Sequence, residues 1–171
     1  MRQIIRDRAI VTDDWEILQL SEDDNAESIA VPEGKVIIPL KVWQSQRAEL
    51  VARKDVAVWF SSNEQGKELG DDIHHFALIA IDFPKFADGR GYSIAYNLRT
   101  RFGYTGELRA IGDVLRDQLF YMQRVGFNSF AVRADKDIND ALKGLSDFSE
   151  SYQTSVDEKQ PLFRRTERTI A

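Results

Sequence analysis

Three aspartates and several basic residues fall where a parallel α/β fold collects ligands. Asp82 follows the apolar run 76–81, Asp113 follows 107–111, and Asp135 follows 129–133, with Arg133 at the end of that last run. Ligands of such folds gather at the carboxyl ends of the strands. Asp82, Asp113, Arg133 and Asp135 are therefore strand-end candidates. Aspartate at such a turn has another use, as a helix N-cap. Two of these carboxylates converging would instead share a proton or hold a metal.

The densest chemistry lies in Phe83-Pro84-Lys85-Phe86-Ala87-Asp88-Gly89-Arg90-Gly91-Tyr92-Ser93. Asp88, Gly89 and Gly91 give a loop whose backbone N–H groups can approach a ligand, and the helix start after it favours an anion. Lys85 and Arg90 supply positive charge, and Arg99, Arg101 and Arg109 follow. The expectation is a small-anion cradle in which Lys85, Arg90 and Arg109 face one cavity, with Asp88 and Gly89 shaping the loop. The same glycines serve equally as backbone hinges in a purely structural loop. Neither a G-x-G-x-x-G fingerprint nor a Walker A motif is present.

Other chemistries find less support. The chain has no cysteine, which removes disulfides, thiolate metal sites, cysteine-held iron–sulfur clusters and cysteine nucleophiles. Its two histidines, His74 and His75, are adjacent. Neighbours on a strand point to opposite faces, so they do not share a metal. They read as structural, and no metal set, cofactor or Ser-His-Asp constellation is expected. No residue is assigned a catalytic role, and whether the chain is an enzyme stays open.

Positioning these residues requires a frame. Short apolar runs at 36–40, 56–60, 76–81, 107–111 and 129–133 alternate with amphipathic stretches at 42–53, 89–102, 114–125 and 138–148. A short helix is expected at 64–69. Such alternation needs crossovers, so the expected fold is α/β. It has a mostly parallel sheet of about five strands, covered on both faces, as an open sheet or an incomplete βα-barrel. An N-terminal β-hairpin over 1–18 is expected to pair Gln3-Ile4-Ile5-Arg6 with Trp15-Glu16-Ile17-Leu18 around Asp13-Asp14. Residues 1–150 form one domain and 151–171 a polar C-terminal tail.

The 171 residues carry a net charge of -5, but residues 82–133 hold eight basic and five acidic side chains. That segment is +3 and the rest is -8. A basic segment in an acidic chain fits an anionic ligand or an acidic partner surface. The overall charge argues against nucleic-acid binding. No apolar run approaches the roughly 20 residues of a membrane span. No leader is visible at the start, so a cytoplasmic location is expected.

The run from Asp82 to Ser93, then Arg99, Gly103-Tyr104-Thr105-Gly106-Glu107-Leu108-Arg109-Ala110-Ile111-Gly112-Asp113-Val114-Leu115 and Asp117-Gln118-Leu119-Phe120, resembles bacterial domain of unknown function family 934. Arg124-Val125-Gly126-Phe127 and Arg133-Ala134-Asp135 continue the likeness, which spans roughly residues 35–150. The resemblance implies an accessory role in assimilatory sulfite reduction, as a partner of sulfite reductase or of its electron donor. It brings no catalytic residues. Many members of the family carry a cysteine where this chain has Val125. Under this reading the basic segment 82–133, or Arg164, Arg165 and Arg168 in the tail, docks the partner. The alternative is an enzyme acting on a small anionic substrate at the loop from Lys85 to Arg90.

Overall fold

The structure is a computed structural model and describes residues 1–148 and 154–160. Eight strands form one sheet: β1 (Gln3–Arg6), β2 (Ala9–Thr12), β3 (Glu16–Ile17), β4 (Val36–Pro39), β5 (Val56–Phe60), β6 (Leu78–Phe83), β7 (Glu107–Gly112) and β8 (Ser129–Phe130). The helices are α1 (Leu40–Leu50), α2 (Arg90–Thr100), α3 (Arg116–Val125) and α4 (Ile138–Lys143). None of the described helices is long and apolar enough to cross a membrane.

The sheet order is β2-β1-β8-β7-β6-β5-β4-β3. All pairings from β3 through β8 are parallel, and β1 is antiparallel to both β8 and β2. The parallel core of five strands, β4 to β8, is as the alternation predicts, and three further strands extend it.

The N-terminal hairpin differs from expectation. Gln3–Arg6 pairs with Ala9–Thr12, not with Trp15-Glu16-Ile17-Leu18. Its turn is Asp7-Arg8, both left-handed at φ 49° and 65°, as a tight two-residue hairpin turn demands. Tertiary bonds hold these non-glycine residues there. Asp7 N–H donates to the Asn128 carbonyl at 2.9 Å. The Arg8 guanidinium donates to the Leu145 carbonyl at 3.2 Å and the Ser146 hydroxyl at 3.1 Å.

Glu16–Ile17 instead joins the opposite edge, beside β4. The two edge strands of the sheet, β2 and β3, are thus consecutive in the chain, separated only by residues 13–15. At most about 3.5 Å per residue, this link cannot span an open sheet eight strands wide. The sheet must curl until its edges meet across that short segment, which gives a strongly curled half-barrel.

Alternation along the strands then fixes two different cores. Val58, Phe60, Ile79, Ile81, Leu108 and Ala110 point outward and pack with Trp43, Ile94, Leu98, Leu119 and Met122 of the helices. Ile4, Ile37, Ala57, Leu78, Ala80, Ile111 and Ala131 point inward with Trp15, Ile17 and Trp59. No helical residue belongs to this inner cluster among the described residues. Coverage by helices on both faces is therefore not what forms: the inner face is covered by the sheet's own curl. The three inward alanines leave room for Trp15 and Trp59, and Trp59 donates its indole N–H to the Leu18 carbonyl at 3.0 Å.

Smaller differences follow from local context. His74 and His75 close a 3-10 turn over Gly70–His75, and β6 begins only at Leu78. The His75 ring packs 5.3 Å from both Trp43 and Phe76. Of the tail, residues 154–160 lie against the end of α3. There the Ser155 hydroxyl and the Val156 N–H both donate to the Arg124 carbonyl, at 2.6 and 3.1 Å. Arg164, Arg165 and Arg168 lie outside the described residues.

Candidate functional site

The carboxyl ends of β5, β6, β7 and β8 form one edge of the curled sheet. The loop after β6, residues 84–89, is fixed there from beneath. Asp113 accepts the Phe86 N–H at 2.8 Å, and the Gln118 side-chain amide donates to the Phe86 carbonyl at 3.0 Å. Asp113 also accepts from Arg133 at 2.8 Å, while Arg133 clasps Asp135 through two bonds of 2.9 and 2.8 Å. Asp113, Arg133 and Asp135 therefore form one network that ties β7 and β8 to the loop.

None of the three strand-end aspartates caps a helix. The N-cap positions of α2, α3 and α4 are Gly89, Leu115 and Asp137, and only Asp137 accepts a backbone N–H, from Asn139 at 2.8 Å. Asp113 and Asp135 are arginine ligands. Asp82 is neither cap nor ligand.

Asp88 and Arg90 form a bidentate pair at 2.9 and 2.6 Å, and Asp88 also accepts the Arg90 N–H at 3.1 Å. Arg90 reaches across to Asn63 after β5, donating to its side-chain carbonyl. The Arg90 side chain, then its backbone N–H, hold the Asp88 carboxyl well below the usual carboxylate range. Three of the five guanidinium N–H groups of Arg90 are engaged, leaving two for a ligand.

Arg90 lines a cavity of about 420 Å³ between the loop after β5 and α2. Lys67 and Arg101 line it with Arg90, as do Asn63, Ser93 and Asn97. Among the described residues Glu64 is its only carboxylate, and one of its oxygens is occupied by the Ser61 N–H at 2.7 Å. The lining suits an oxyanion: two cations with no ion-pair partner among the described residues, a third with spare donors, and neutral amide and hydroxyl groups.

The sequence candidates divide around this cavity. Arg90 lines it, and Asp88 orients Arg90. Gly89 supplies the α2 N-cap position. Lys85 is exposed on the far part of the loop and does not line the cavity. Arg109 is elsewhere, and its expected place in the cradle is corrected. Its side chain is 1% exposed on the inner face of the sheet, bonded to Asp13 at 2.9 Å and to Glu107 at 2.9 and 2.8 Å. Arg99 is also internal, donating to the carbonyls of Gly126, Tyr104 and Gly106 at 2.9, 2.8 and 2.9 Å.

Lys67 and Asn97 were not among the sequence candidates for the cradle, and Arg101 was named with its basic residues without being placed in the cavity. A signal existed for two of them. Arg90, Ser93, Asn97 and Arg101 follow spacings of three, four and four, which puts them on one helical face. Lys67 has no such signal, because the 3-10 turn over Gly66–Glu68 that presents it carries no period.

Asp82 differs from its neighbours. It is the penultimate residue of β6, on the inner face and half-buried, and its side chain has no hydrogen-bond or ion-pair partner among the described residues. Burial, reinforced by the charge of Asp88, pushes its carboxyl above the usual range. Gly112 makes room for it. A Cβ there would lie 2.4 Å from Asp82 Oδ1 and 2.5 Å from the Phe83 carbonyl oxygen, and φ at Gly112 is +88°. Only glycine meets both demands.

The profile of a bacterial protein family of unknown function (DUF934) matches residues 57–163, more than half of the chain. The chain belongs to DUF934. The match begins in β5 and takes in every strand end described above. No curated protein and no solved structure matches the chain.

Proposed function

We propose that this DUF934 protein is a cytoplasmic accessory protein of assimilatory sulfite reduction that holds a small oxyanion between the loop after β5 and α2. The observation that carries this reading is the meeting of Lys67, Arg90 and Arg101 around one cavity at the carboxyl edge of a parallel sheet. Charge-assisted bonds from arginine and lysine are the strong ones for oxyanions, and the bidentate Asp88 clasp holds Arg90 in place before a ligand arrives. The family resemblance supplies the sulfur-oxyanion context.

Titration of isotope-labelled protein with sulfite, sulfate and phosphate, followed by amide NMR, tests it. Saturable shifts are expected at Ser93, Asn97 and Arg101. Arg101→Glu is expected to weaken binding about tenfold or more, the scale of one charged hydrogen bond. Shifts that are absent, or scattered over the surface, at millimolar anion would refute the reading.

One observation favours direct docking on sulfite reductase or its electron donor as a second reading. Lys85 and the half-exposed Phe86 stand out on a loop that Asp113 and Gln118 hold rigid. A preorganised cation beside an apolar ring suits an acidic partner surface with a small apolar pocket. Lys85→Glu should then slow association at low salt, measured by surface binding with the purified reductase. An unchanged association rate would remove this reading and leave the anion cavity standing.

A further inference from the structure

A second cavity, of about 510 Å³, opens at the mouth of the curled sheet, where the carboxyl ends of β7 and β8 meet the start of β1. Its floor is apolar, formed by Ala131, Val132 and Ile138. Its rim carries Arg2, Arg133 and Lys136. These cations are not equivalent. Arg133 is fully oriented by Asp113 and Asp135. Arg2 lies 3.8 Å from Asp13, and Lys136 lies 3.7 Å from Asp135, both too far for a hydrogen bond. Each attracts its carboxylate without being saturated by it.

One further feature marks this mouth. Gly112 forms part of the cavity wall, and Asp82 Oδ1 occupies the space where a side chain at that position would project.

We infer that the mouth of the curled sheet is a second ligand site, for a small organic anion. The acid group pairs with Arg2 and Lys136, and the apolar body rests on Ala131 and Ile138. An inorganic oxyanion fits it less well than the first cavity, because Ala131, Val132, Ala134 and Ile138 give its lining an apolar part that such an ion leaves unused. This site stands on different residues from the oxyanion cavity and does not depend on it.

The test uses the full chain with butane-1-sulfonate as probe and sulfate as control, followed by amide NMR. The sulfonate is expected to give saturable shifts at Gly112, Ala131 and Lys136, with sulfate giving none there. Lys136→Glu, an exposed change that leaves packing intact, is expected to weaken the sulfonate about tenfold. Ala131→Phe, which fills the floor, is expected to abolish its binding. Sulfonate shifts confined to Ser93 and Asn97, or unaffected by Lys136→Glu, would overturn the site. Sulfate binding the mouth as tightly as the sulfonate would overturn the organic-anion assignment. Failure here leaves the shifts at Ser93, Asn97 and Arg101 with sulfite as an independent readout of the first cavity.

Discussion

Arg109 and Arg90 are the same residue type, 19 positions apart, and each is held by carboxylate, yet their surroundings assign them opposite work. Arg109 sits on the inner face of the curled sheet, with Asp13 and Glu107 closed around it and almost no exposed surface. Arg90 is 58% exposed at the edge, clasped by Asp88 on one side only. In the interior the guanidinium is enclosed by its two carboxylates and closed off from any ligand. At the edge the partner orients the guanidinium and leaves it open to the surface. Positive charge in a basic segment thus says little about binding until the accompanying carboxylates are located.

The inner cluster also explains how the sheet closes. Asp13 belongs to the three-residue link between β2 and β3, so its bond to Arg109 ties that link to the middle of β7. Removing one partner of a buried ion pair strands the others without compensation. Arg109→Met is expected to destabilise the protein by about 3–5 kcal/mol, measured by denaturant unfolding. Arg90→Met, at the exposed end of the comparison, should shift the midpoint far less. Equal losses from the two variants would break the distinction drawn between them. Replacing Asp13, Glu107 and Arg109 together by apolar residues should recover much of the loss, since buried ion clusters are often matched by well-packed hydrophobic ones.

The same contrast shows what was legible in the sequence. The strands β4 to β8 and their parallel order follow from apolar runs of four to six residues separated by amphipathic stretches. The loop at residues 84–89 was legible because glycine and aspartate mark turns locally. Arg109 was not legible as an interior residue. Its partner Asp13 is 96 positions away, and a charged residue within a strand ordinarily faces water. The hairpin was misread for a related reason. Asp7-Arg8 carries no glycine or asparagine, and its left-handed backbone is imposed by contacts with Asn128, Leu145 and Ser146. The edge strand Glu16–Ile17 is two residues long, too short for any period to register. At the proposed oxyanion cavity, helical spacing puts Ser93, Asn97 and Arg101 on one face with Arg90, whereas Lys67 arrives through tertiary packing alone.

Gly112 lies between the two regions and sharpens their boundary. It ends β7 at φ +88°, with Asp82 and the Phe83 carbonyl where a Cβ would go. Gly112→Ala is expected to lower stability by about 1–3 kcal/mol, through left-handed strain and the backbone clash. Thermal unfolding reads the loss. An amide spectrum of the variant should show displacement at Asp82 and along residues 84–89, while Asn97 and Arg101 stay in place. Spectral changes spread through α2 would mean that the two cavities are not separate.

The smallest effect expected is also the most diagnostic, because it depends on pH. Asp82 is the strand-end carboxyl whose ionisation burial opposes. Its folded value lies above its unfolded value, so the native state holds the proton more tightly than the unfolded chain. Asp82 therefore supports stability below the ordinary carboxylate range, and that support is lost as pH rises through the raised folded value. Asp82→Asn, which keeps the shape but cannot ionise, should lose this dependence. Above that window the variant should gain on the wild type, and below it the two should converge. The neighbouring Asp88 behaves in the opposite sense, since its Arg90 clasp favours the ionised form, and stability from that pair fades only as pH falls below the usual carboxylate range. Denaturant midpoints of wild type and Asp82→Asn across mildly acidic to neutral pH decide the matter. A constant difference at every pH would mean that Asp82 ionises as freely as a surface carboxylate, and the contrast between the two aspartates would collapse.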